Sequence, residues 1–136
     1  ALTYPHVYVG AISLGANPMQ TIKVLTEAEK YDGPSIIIAY SPCIAQGIIR
    51  GMSNSNEEQK LATLSGYFPI FHYNPETKIF SLDSKADFSK YSDFIGGEDR
   101  YRTLKNINPD YKKILEENKK NAEERYAYYE SLANKK

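Results

Sequence analysis

Two short apolar runs without alternation dominate the first third of the chain. Val7 to Ser13 (Val-Tyr-Val-Gly-Ala-Ile-Ser) and Ser35 to Tyr40 (Ser-Ile-Ile-Ile-Ala-Tyr) read as strands covered on both faces. Between them, Met19 to Tyr31 places Ile22, Leu25, Ala28 and Tyr31 at helical spacing, with Val24 alongside. Asn17 is suited to cap that helix and Pro18 to open it, and Asp32-Gly33-Pro34 ends it with Gly33 as the C-cap. Strand, helix, strand predicts one βαβ unit with parallel strands. Pro42 cannot donate to a ladder, so the second strand stops there and Cys43 follows just beyond its C-terminal end. In parallel strands the loop Gly15-Ala16-Asn17 and the loop of Cys43 leave the same sheet edge, and both are expected to border one crevice.

The rest of the pattern is more mixed. A short helix is predicted over Ile44 to Met52, and another from Ser55 to about Ser65, with Ser55 and Glu58 spaced as a capping box. Tyr67 to Tyr73 and Lys78 to Leu82 flank Asn74-Pro-Glu-Thr77, which predicts a hairpin around a type I turn. Asp83 to Gly97 reads as loop with a short helix, and Glu98 to Lys105 as another helical turn or two. Asn108 is set to cap the last helix, in which Tyr111, Leu115, Asn118, Ala122, Arg125 or Tyr126, Tyr129 and Leu132 follow a 3–4 spacing. The expected class is α/β.

A lone βαβ unit cannot bury both faces of two apolar strands, and no third unit follows. The missing strands are expected ahead of Ala1, which reads the chain as a portion of a longer polypeptide. Composition adds exclusions. The 136 residues carry 17 Lys plus Arg against 17 Asp plus Glu, so there is no basic field for nucleic acid or an anionic membrane surface. No apolar run approaches the ~20 residues of a spanning helix. One cysteine forms no internal disulfide, which points to a reducing, cytoplasmic setting.

Candidate chemistry, taken residue by residue, is thin. Cys43 after an apolar strand is most simply a small buried hydrophobe. The two histidines, His6 and His72, carry no motif that ties them to it as a base, and one thiolate with two histidines falls short of a metal site. The backbone N–H groups of Gly15, Ala16 and Asn17 are placed to face an anion, although the same sequence is simply a good cap. Tyr126, Tyr128 and Tyr129 read as helix packing with phenols at the rim.

The combination is nevertheless recognisable. Ser13-Leu-Gly-Ala-Asn-Pro-Met-Gln20, Glu27 through Ile44 with its Pro-Ser-Ile-Ile-Ile-Ala-Tyr-Ser-Pro-Cys core, Gly66-Tyr-Phe-Pro-Ile-Phe71, Phe80-Ser-Leu-Asp-Ser-Lys85 and Arg100-Tyr-Arg-Thr-Leu104 resemble the C-terminal segment of the single-chain pyruvate:ferredoxin (flavodoxin) oxidoreductases. The resemblance implies that residues 1–66 end a thiamine-diphosphate-binding, parallel-sheet domain and that residues 67–136 form a hairpin and C-terminal helical extension. It implies an enzyme that decarboxylates a 2-oxoacid on thiamine diphosphate with Mg²⁺, passes electrons through [4Fe–4S] clusters to ferredoxin or flavodoxin, and transfers the acyl group to coenzyme A. Cys43 would be one cluster ligand, with the other three elsewhere in the same chain. Gly15, Ala16 and Asn17 would line the cofactor crevice, and the enzyme would be a homodimer. The competing expectation is a stand-alone, non-catalytic interaction module in which Cys43 is a core residue.

Overall fold

A computed structural model describes residues 1–45 and 47–135. β1 (Tyr8–Ile12) leads through α1 (Pro18–Lys30) to β2 (Ser35–Ala39), and the two strands pair in parallel from Tyr8 opposite Ser35 to Ile12 opposite Ala39. The βαβ unit is therefore present. α2 (Ser55–Leu64) follows a 3-10 turn, and then a hairpin of β3 (Phe71–Asn74) and β4 (Ile79–Leu82) joins the same sheet. β3 adds antiparallel to the other edge of β1, giving a mixed sheet in the order β2-β1-β3-β4. Asn74 Oδ1 accepts from Glu76 N at 2.9 Å and shapes the turn. α3 (Tyr91–Gly97), α4 (Asp99–Ile107) and α5 (Tyr111–Ala133) complete the chain.

The pleat of β1 explains the two layers. Tyr8 and Ile12 point to one face, where Val24 of α1 packs with Ala28, Tyr31 and Ile37. Val9 and Ala11 point to the other, where Phe71 and Phe80 meet Tyr129 and Leu132 of α5. Tyr129 lies 4.8 Å from the Phe71 ring, and Tyr126 donates to Ser84 O and accepts from Ala86 N. A third cluster around Phe94, Tyr91, Ile95, Ala62 and Ala122 joins α2, α3 and α5. Gly10 faces α1, and a Cβ there would run into Val24 and the Ile37 side chain.

Several expectations change. β2 is not covered on both faces: it is an edge strand, with Ile36 41% and Ile38 47% exposed. The inward stripe of α1 is Gln20, Thr21 and Val24, while Ile22 and Leu25 are exposed. The polar Gln20 and Glu27 turn inward because the hairpin brings them partners. His72 Nδ1 and Asp83 Oδ2 are hydrogen-bonded at 2.7 Å, and Gln20 Nε2 donates to the same oxygen at 2.9 Å. Tyr8 OH donates to Glu27 Oε2, 3.8 Å from His72 Nε2.

Helix ends also differ from the sequence pattern. The described residues of the expected Ile44 to Met52 helix form turns and a bridge up to Gly51, with Gln46 outside the described residues, and Met52 opens the 3-10 turn. Ser55 lies inside α2, whose cap residue Asn54 makes no side-chain cap bond, and Glu58 is buried elsewhere, so no capping box forms. α1 ends at Tyr31 in extended geometry, so Gly33 is not its C-cap. At α5 the cap position falls to Asp110, and Asn108 Oδ1, two residues earlier, accepts from Asp110 N. Asn17 does cap α1, accepting from Gln20 N at 3.0 Å.

If the close approach at Gly10 seats α1, Gly10→Ala in the full-length polypeptide should cost about 1–3 kcal/mol locally through overpacking. Amide exchange along α1 measures this. It should speed up roughly tenfold or more, and unchanged exchange would refute the close fit.

Candidate functional site

The C-terminal ends of β1 and β2 carry both loops singled out from the sequence. The first, Ser13 to Asn17, is already hydrogen-bonded within the fold. Gly15 N and Ser13 Oγ both donate to Gln59 Oε1 of α2 at 3.0 Å. Ala16 N and Asn17 N donate to Ser13 O, at 3.1 and 2.9 Å. A Cβ on Gly15 would crowd Gln59 and Asn56, so α2 lies directly on this loop. The N–H groups of Gly15, Ala16 and Asn17 are thus engaged, and the loop presents a wall rather than open donors.

The second loop is held at both ends. Tyr40 N donates to Ile12 O at 2.9 Å, and its ring stacks on Phe68 with centroids 5.1 Å apart. Cys43 O accepts from Gly47 N at 2.9 Å. Beyond it, Ile48 is buried and forms an antiparallel bridge with Glu98, and Ile49 N donates to Gly97 O at 3.0 Å. Cys43 itself is exposed. Residue chemistry alone favoured a core position; the turn at Pro42 instead carries the thiol to the surface. Among the described residues no group of three or more His, Cys, Asp and Glu could hold a metal ion, so Cys43 offers one ligand and no complete site.

Beneath this loop lies a carboxyl pair that the sequence pattern did not reveal. Glu58 of α2 and Glu98 at the α3–α4 junction are 5% and 4% exposed. Oε1 of each lacks a hydrogen-bond partner among the described residues, while Glu98 Oε2 faces Arg100 Nε at 3.4 Å. Burial, then the Glu98 charge, pushes the Glu58 carboxyl above its usual range, with Arg50 opposing. Burial also raises Glu98, opposed by Arg100 and by the hydrogen bond from Glu58. Burial thus shifts both carboxyls toward their neutral forms. Burial, then Glu98, raises the Tyr40 phenol as well. Only the apolar spacing around Glu58 (Leu61 and Ala62 at i+3 and i+4) hinted that it faces inward.

Comparison with known proteins gives the arrangement a context. No protein-family profile matches the chain. Over 98% of its length it is 41% identical to the pyruvate:ferredoxin oxidoreductase of Moorella thermoacetica, covering 12% of that protein. It is 39% identical, with the same coverage on both sides, to the pyruvate-flavodoxin oxidoreductase of Enterobacter agglomerans. Over 81% of its length it is 42% identical to the pyruvate dehydrogenase (NADP⁺) of Cryptosporidium parvum, covering 6% of that protein. The chain is an α/β segment homologous to part of the pyruvate oxidoreductases. More particularly, its homologues include pyruvate:ferredoxin and pyruvate-flavodoxin oxidoreductases, and it spans 12% of the length of those two relatives.

The role of Gln59 is directly testable. Gln59→Leu leaves Ser13 Oγ and Gly15 N without their acceptor, at about 1–3 kcal/mol. Exchange at Gly15 in the full-length polypeptide should rise roughly tenfold. Unaltered exchange there would mean that Gln59 does not hold the loop.

Proposed function

We propose that this chain is the C-terminal segment of a 2-oxoacid:ferredoxin or flavodoxin oxidoreductase acting on pyruvate, and that Cys43 is one thiolate of a [4Fe–4S] cluster. Homology over 98% of the chain carries the reading. Residues 1–66 end the thiamine-diphosphate-binding domain, and residues 67–136 are its extension. When bound, thiamine diphosphate with Mg²⁺ supplies the carbanion chemistry of decarboxylation, and the clusters carry single electrons onward. Coenzyme A takes the acyl group, and ferredoxin or flavodoxin takes the electrons. The enzyme is a cytoplasmic homodimer.

This chain's own contribution is positional. An exposed thiol at the carboxyl edge of a parallel strand pair suits a ligand shared with cysteines from elsewhere in a longer polypeptide. The Gly15–Asn17 loop, its donors engaged by Gln59 and Ser13, contributes a wall of the thiamine crevice and no diphosphate cradle. The open edge of β2, with Ile36 and Ile38 exposed on the face opposite α1 and with Ile22 and Leu25 exposed on α1 itself, supports a sheet completed by further strands and a helix of the same polypeptide.

In the full-length enzyme, Cys43→Ala should lower iron content, weaken the cluster's electron paramagnetic resonance and abolish pyruvate-dependent reduction of ferredoxin. Full iron content with an unaltered spectrum would remove the ligand role. Ile38→Arg tests the covered edge: soluble full-length protein should be largely lost, because a buried unpaired charge is severely destabilising. Normal yield and stability would instead favour a free-standing module.

A further inference from the structure

Two neighbouring residues of α2 hold the two carboxyl-edge loops. Gln59 takes the Gly15 loop through its side-chain oxygen. Glu58 reaches the opposite way, to Glu98, whose backbone bridges Ile48 in the loop that carries Cys43. Space there is tight: a Cβ on Gly97 would sit 2.9 Å from Glu58 Oε1. We infer that Glu58 and Glu98 share one proton in a latch that fastens the Gly97–Glu98 backbone against α2 and so positions the loop bearing Cys43. The bearing on Cys43 rests on the function proposed above; the latch itself does not.

The chemistry favours a single proton. Both carboxyls are more than nine-tenths buried, and Oε1 of each has no donor among the described residues. Two carboxylates in that position would repel with little water to screen them. With one proton, Glu58 donates to Glu98, and Glu98 keeps its charge against Arg100. Among the described residues, the charged and titratable groups facing the pair are Arg50, Arg100, Asp99 and Tyr40, and Lys90 and Asp93 line the same cavity as Glu58. Arg100 also lies over the Tyr67 and Tyr101 rings, which fixes its guanidinium beside the pair.

The sign of the pH dependence follows. A carboxyl whose value is raised by folding supports the folded arrangement fully in acid and loses that support as pH rises through the raised value. Deprotonation releases the shared proton to solvent and leaves two facing carboxylates, so the Ile48–Ile49 segment should loosen toward alkaline pH. An ordinary ion-paired carboxylate would behave in the opposite way.

The test uses the full-length enzyme, with amide exchange at Gly47–Gly51 corrected for intrinsic rates and cluster spectra recorded in parallel. From mildly acidic to mildly alkaline buffer, wild-type protection should fall about tenfold for each pH unit passed above the raised value. Glu58→Gln keeps a donor toward Glu98 but cannot ionise, so its protection should stay high and flat. Glu58→Ala should be unprotected throughout. The latch is overturned if Glu58→Gln follows the wild-type pH profile, if Glu58→Ala stays protected, or if a metal chelator removes the protection, which would mean a bound cation. The comparison of wild type with Glu58→Gln decides the latch, and the spectrum of Cys43→Ala decides the ligand role, so either can fail alone.

Discussion

Everything in this chain hangs on β1, which among the described strands is alone in being buried along its whole length and pairs along both edges. Its left-hand neighbour is the parallel β2, delivered by α1, and its right-hand neighbour is the antiparallel β3. Because side chains alternate along it, Tyr8 and Ile12 recruit α1 while Val9 and Ala11 recruit the hairpin and α5. A one-residue slip of this strand would exchange the two layers. The strand also sets where the chemistry sits, since both loops of interest leave the sheet at its carboxyl edge.

The edge is then organised by α2. Gln59 and Glu58 turn to different loops, one through a neutral amide and the other through a carboxyl whose burial beside Glu98 favours its neutral form. A buried polar group is costly without a partner, so each contact is also a constraint on the loop it holds. The His72–Asp83–Gln20 network plays the same part on the α1 face, binding the helix to the hairpin.

What could be read from residues alone was what depends on local periodicity. The βαβ order, the Asn17 cap, the hairpin around Asn74 to Thr77 and the buried face of α5 all follow from spacing and turn chemistry within a short window. Misreadings arose where a partner far along the chain decided the outcome. Glu58 looked like part of a capping box and is half of a carboxyl pair with a residue forty positions later. The inward face of α1 looked apolar, and it is partly polar because a histidine and an aspartate from the hairpin lie opposite.

The sequence by itself determined that β2 is apolar on both sides and that Cys43 follows it, because composition and the stop at Pro42 are local properties. Only the tertiary structure decided that this strand lies at an open edge, that the thiol is exposed, and that two carboxyls meet beneath its loop. Those outcomes depend on pairing and burial between segments tens of residues apart. A pattern along one chain records which faces are apolar, but not what comes to lie against them.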